Sequence, residues 1–105
     1  MIKIVYRVVI KQGREKEFKT LAEKTLVPHA SSLTGCVLFT LFDNHANHHE
    51  FIFYEIWQNE GAVDNYYKEL IQLLGKSSPG KIFPDKLNDF IDEEEDILHE
   101  DLKEK

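Results

Sequence analysis

The side chains of this sequence that could move protons or hold metals are few and scattered. His29, directly after Pro28, is a candidate general base, because an imidazole titrates near neutrality; its blander role is a partly buried histidine at a helix end. His45, His48 and His49 crowd together beside Asp43 and Glu50, and imidazoles with carboxylates suit zinc or copper. Ligands on a polar turn without cysteine or helical spacing do not converge readily, so a solvated loop is expected and no metal site. Cys36 is the lone cysteine. It can form no intrachain disulfide and reads as a small apolar filler.

These groups must be positioned by regular elements. Ile2 to Ile10 is a β-branched, mostly apolar run broken by Lys3, Tyr6 and Arg7, the pattern of a strand covered on both faces. Gly13 marks a turn. From Arg14 the period becomes helical, with Phe18, Leu21, Ala22, Thr25 and His29 on one stripe, and Pro28 is expected to kink or loosen the last turn. Leu33-Thr34-Gly35 ends that element. Cys36 to Phe42 and Glu50 to Trp57 read as strands joined through the polar turn Asp43–Asn47 in an antiparallel hairpin. Asn59 caps a helix running to Leu74 with Val63, Tyr66, Tyr67 and Leu70 on its apolar stripe, and Gly75 stops it. Pro84 opens a short helix that buries Leu87, Phe90 and Ile91. Periodicity alone leaves Ile97 to Leu102 as either a helical turn or a strand. A β-α-β-β-α unit leaves one sheet edge without a partner, so a final strand completes it more economically.

The chain has 105 residues, enough for one domain with a modest core, which makes added burial by oligomerisation a reasonable expectation. Residues 1–105 therefore read as a single domain. Its net charge of −6 is uneven: residues 1–84 hold 9 acidic and 10 basic side chains, residues 85–105 hold 10 acidic and 3 basic. A neutral body with an acidic C-terminal segment offers no footprint for phosphate backbones, and that segment reads as a solvated face. Nucleic acid is not an expected partner. No apolar run approaches the length of a membrane span and Met1 to Lys11 lacks a signal pattern, so neither a membrane partner nor export is expected. With one cysteine, the expected location is cytoplasmic.

Val5 to Gly13 (VYRVVIKQG), Leu26-Val27-Pro28, the Gly35-Cys36 pair and above all Phe53 to Ala62 (FYEIWQNEGA) resemble the antibiotic biosynthesis monooxygenase (ABM) domain family. The resemblance covers about residues 2–75 and, more loosely, Pro84 to Leu102. It implies an α+β fold, a ferredoxin-like β-α-β-β-α-β sandwich whose sheet pairs with that of a second copy in a dimeric α+β barrel. That homodimer would account for strands apolar on both faces. Enzymes of this family oxidise aromatic or quinol-like substrates with molecular oxygen and without metal, flavin or haem. The implied function is a cofactor-independent monooxygenase of a small aromatic or quinone-type molecule. A non-catalytic dimeric binding or sensing domain is the alternative, and an isomerase or small-molecule degrading enzyme on the same barrel is a third reading.

By the same resemblance the substrate pocket involves Trp57, Phe53 and Val63, and Tyr6 and Tyr66 fall at pocket positions; with His29, which its own helix stripe suggests, they are the catalytic candidates. The chain departs from the polyketide-quinone branch, which carries asparagine, tyrosine and arginine where Phe53, Val63 and Ser77 stand. It departs equally from the haem-degrading branch, whose asparagine, tryptophan and axial histidine are replaced by Tyr6, Tyr66 and Lys76; without that histidine, haem has no obvious ligand. No cofactor is expected. Tyr6 and Tyr66 remain able to hydrogen-bond a quinol oxygen, and each can equally be an interior tyrosine. Trp57 can line the pocket or simply pin the second helix.

Overall fold

Alternation along the strands sorts the side chains into a helix-covered layer and an opposite, open one. The structure, a computed structural model, describes residues 1–81 and 83–101. Strands β1 (Ile2–Ile10), β2 (Cys36–Asp43), β3 (Glu50–Trp57) and β4 (Ile91–Asp101) form one antiparallel sheet in the order β2-β3-β1-β4. On its covered side Ile2, Ile4, Val8 and Ile10 meet Phe39, Phe51, Phe53 and Trp57, beneath Phe18, Leu26, Val63, Tyr66 and Leu70 from the helices. This is the ferredoxin-like α+β order expected from the sequence.

The first helical stretch is continuous but not uniform: α1 (Glu15–Leu21), a π-helical turn (Ala22–Leu26) and α2 (Val27–Ser32). Pro28 has no N–H to offer the carbonyl four residues back. The backbone adapts just ahead of it, where the Val27 N–H reaches the Ala22 carbonyl in the wider i→i−5 bond of a π turn. The expected kink is thus taken up as a π turn rather than a break. Helix α3 (Glu60–Leu74) begins where Asn59 Oδ1 accepts the Ala62 N–H at 2.9 Å and ends at Gly75, whose φ is +102°. A short α4 (Asp85–Asn88) follows Pro84 and buries Leu87.

The last element is the strand expected to complete the sheet, but it starts earlier than the apolar residues suggest. The acidic run Glu93–Asp96 lies inside β4, opposite Val9 to Tyr6 of β1, with a bulge where Val5 faces Leu98 and Tyr6 faces Asp96. A strand at the edge of a sheet tolerates such charge, which also discourages further edge pairing. Leu102, the expected end of this strand, lies outside the described residues. Among the described residues no helix is long and apolar enough to cross a membrane.

Gly35 fastens α3 to the sheet. It has φ +89°, and a Cβ built on it would lie 2.6 Å from Ala62 Cβ, while its carbonyl accepts the Gln58 N–H at 2.8 Å. Gly13 shares the same φ but has nothing within 4 Å of such a Cβ. Gly13→Ala should therefore lose only the backbone term of about 1 kcal/mol. Gly35→Ala adds a collision between the α3 start and β2, and should cost clearly more, about 2–4 kcal/mol. Chemical denaturation of the pair measures the difference, and equal losses would show that α3 has room to move.

Candidate functional site

Because β3 alternates strictly, its inward positions are Phe51, Phe53, Glu55 and Trp57, all buried. Three are aromatic and the fourth is a carboxylate. Glu55 is only 4% exposed; it faces Phe39 on one side and Ile4 on the other, with His99 at the far end of the same row. Trp57 Nε1 donates to Glu55 Oε1 at 2.9 Å. Among the described residues Oε2 has no hydrogen-bond partner. Burial in this aromatic enclosure pushes the Glu55 carboxyl up to about 7, against the smaller opposing effects of the indole N–H and of His99. A carboxylic acid poised near neutrality can take a proton from a bound hydroxyl and give it up again.

An aromatic chain surrounds this group. The Trp57 indole stacks on Tyr66 with centroids 5.0 Å apart, and Phe39 packs edge-on against Trp57, Tyr66 and Phe53. Tyr66 leads to Tyr67, Tyr67 to Phe83, and Phe83 to Tyr6 at 5.2 Å. Burial raises the hydroxyls of Tyr6, Tyr66 and Tyr67 well above their ordinary range, with Glu94 next in effect at Tyr6 and Glu55 at the other two. These phenols hold their protons near neutral pH, so they can donate hydrogen bonds but are poor bases. A cavity of about 130 Å³ beside Tyr6 is lined by Lys81, Phe83, Asn88 and Glu94.

The sequence-derived residues divide accordingly. Tyr6, Trp57 and Tyr66 do come together through this aromatic chain, with Glu55 at its centre. The open pocket anticipated between them is filled by their own rings: Trp57 is 0% and Tyr66 2% exposed. Phe53 and Val63 are packed core residues, Phe53 edge-on to Phe18 and Phe39. His29 is not part of that aromatic chain: its Nε2 lies 3.9 Å from Glu69 Oε2, on the flank of α3 away from Tyr67 but only about 60° around the helix from Tyr66. In the histidine turn, Asn44 Oδ1 and Asn47 Oδ1 accept backbone N–H groups, His49 turns back to Glu15 at 3.2 Å, and His45 and His48 are exposed. Glu55 is the residue that motif reading passed over. Its signal was parity: it shares an inward register with Phe51, Phe53 and Trp57, where an ionised carboxylate is costly to bury.

Comparison with known proteins follows these elements. A solved antibiotic biosynthesis monooxygenase superposes with a TM-score of 0.73 at 18% identity, over 98% of this chain and 100% of the other. A Nitrosomonas europaea protein ascribed to the same group gives 0.77 at 14% identity, over 98% and 100%. A conserved Methanosarcina mazei protein gives 0.67 at 23% identity, over 90% and 85%. At such identities the likeness is one of fold. The uncharacterized protein sll1783 of Synechocystis is 25% identical over 91 residues; the match takes in 78% of this chain and 61% of that protein's length. The family model for antibiotic biosynthesis monooxygenases matches residues 1–69, the stretch from β1 into α3 that carries Glu55, Trp57 and Tyr66. The chain belongs to the antibiotic biosynthesis monooxygenase family.

Proposed function

We propose that the protein is a cofactor-independent monooxygenase of a small aromatic or quinol-type substrate, with Glu55 as the group that takes the substrate's proton. The observation that carries this reading is a buried carboxyl with one oxygen held by Trp57, the other without a partner among the described residues, and a proton affinity near neutrality. Removing a hydroxyl or ring-carbon proton makes the aromatic system electron-rich enough to pass an electron to oxygen. The resulting radical pair forms a carbon–oxygen bond, and loss of water from the peroxide leaves a quinone carbonyl. One oxygen atom enters the product and the other leaves as water, while the two substrate hydrogens supply that water. A dry aromatic wall suppresses leakage of the intermediates, and a protonated tyrosine steadies the developing oxyanion.

The cavity beside Tyr6, about 130 Å³, is below the usual ~300–1,000 Å³ of a ligand pocket, so a bicyclic substrate requires the Phe83 ring to give way. The close packing of Trp57, Tyr66 and Phe39 favours a second reading, a dimeric small-molecule binding or sensing domain without turnover. Oxygen uptake with a dihydroxynaphthalene or an anthrone, without added cofactor, separates the two. Tyr66→Phe and Tyr6→Phe should each lower that rate by about 10- to 100-fold if their hydroxyls steady the oxyanion. Rates equal to the unsubstituted protein would make these tyrosines structural, and no uptake above the buffer rate would replace the enzyme by the binding domain.

We further infer a homodimer through the open face of the sheet, where Val5, Ile52, Tyr54, Ile56 and Leu38 share a side with Phe42. Cys36 is a half-buried free thiol, which supports a reducing, cytoplasmic setting.

A further inference from the structure

On the helical side, away from Glu55, α1 and the π turn face α4 across an open groove of about 540 Å³, within the range of small-molecule sites. Its floor is apolar: Leu21, Leu74 and Phe90 line it, the last two nearly buried. Its walls are basic. Arg14 is already committed, with Cζ 3.9 Å over the Phe90 ring, Nη1 donating to the Asp89 carbonyl and Nη2 paired with Glu17 at 3.3 Å. Lys24 and Lys86 also line the groove, and among the described residues their side chains have no ion-pair partner. With Arg14 balanced by Glu17, two lysines face the single carboxylate of Asp89. The groove is therefore locally positive in a chain of net charge −6. Lys24 and Thr25 sit within the π turn, the kind of local widening that recurs at ligand sites.

We propose that this groove is a second ligand site, which takes an amphipathic monoanion: a medium-chain or aryl carboxylate lying on Leu21, Leu74 and Phe90 with its charge toward Lys24 and Lys86. Apolar floor and basic wall together exclude the alternatives, since a purely apolar ligand leaves both lysines unused and a small inorganic anion leaves the floor uncovered. A body of about eight to ten carbons fits a groove of this size. The assignment is independent of the chemistry at Glu55.

Octanoate titrated into the ¹⁵N-labelled protein tests it, with octanol as the uncharged counterpart. Octanoate should shift amide signals of residues 20–25, 74 and 86–90, and octanol should bind at least tenfold more weakly. Lys24→Glu combined with Lys86→Glu alters only exposed side chains and should leave the spectrum folded while weakening octanoate at least tenfold. Shifts confined to the Glu55 side, at residues 53–57 and 66–67, would overturn the proposal, as would binding unchanged within twofold in the double variant. The absence of any saturable shift at millimolar octanoate would overturn it as well.

Discussion

Glu55→Gln is expected to make the protein a poorer catalyst and a more stable fold at the same time. Glutamine keeps an acceptor for the Trp57 indole N–H but cannot take a proton, so substrate oxidation should fall by about 10²- to 10⁴-fold. The stability change follows from linkage. The carboxyl ordinarily titrates near 4.5 and in the fold near 7, so between these values the unfolded chain releases a proton that the folded chain keeps. Folding stability therefore falls as pH rises through this window, and above it the full cost of ionising a buried carboxylate is present, about 3 kcal/mol. Glu55→Gln should recover up to that amount at pH 8 and nothing at pH 4. Denaturation curves at both values, beside oxygen-uptake rates, read out both halves. A stabilised variant with an unchanged rate would mean that Glu55 only anchors Trp57. A destabilised variant would mean that the carboxylate has a compensating partner and is not strained.

A charge on the open sheet face should split the proposed dimer. Four rows cross that face: Leu38, Ile56, Lys3 and Glu100; Thr40, Tyr54, Val5 and Leu98; Phe42, Ile52, Arg7 and Glu95; Glu50, Val9 and Glu93, so its apolar part lies on β2, β3 and the middle of β1. In a single chain Leu38 is 37% and Phe42 55% exposed, a poor arrangement for solubility unless another apolar surface covers them. Light scattering at micromolar concentration should give twice 12.3 kDa. Leu38→Asp places an unpaired carboxylate in the joint and should weaken association by several kcal/mol, leaving a monomer of 12.3 kDa or an unfolded chain. Because Leu38 is already half-open in one subunit, a dimer that survived the change undiminished would locate the interface elsewhere. A stable monomer of the unsubstituted protein would remove the dimer altogether.

Much of the architecture was legible in the sequence because local signals and burial agreed. The alternation in β3, the Asn59 cap, the Gly75 stop and the Pro84 start act within a few residues of themselves, and each appears where its residue type demands. The family likeness of Phe53 to Ala62 had the same local character. Tertiary structure alone decided the rest. That Glu93–Asp96 belong to a strand depends on β1 offering an unpaired edge, which no acidic run announces. That Pro28 is absorbed by a π turn over Ala22–Leu26 rather than by a break appears only in the folded backbone. Above all, Tyr6, Tyr66 and Trp57 were readable as pocket candidates, but whether they enclose a void or fill it is a matter of packing between elements distant in sequence. Glu55 has the same origin: a glutamate in an alternating strand becomes a near-neutral acid only when Phe39, Trp57 and Tyr66 close around it and water is gone.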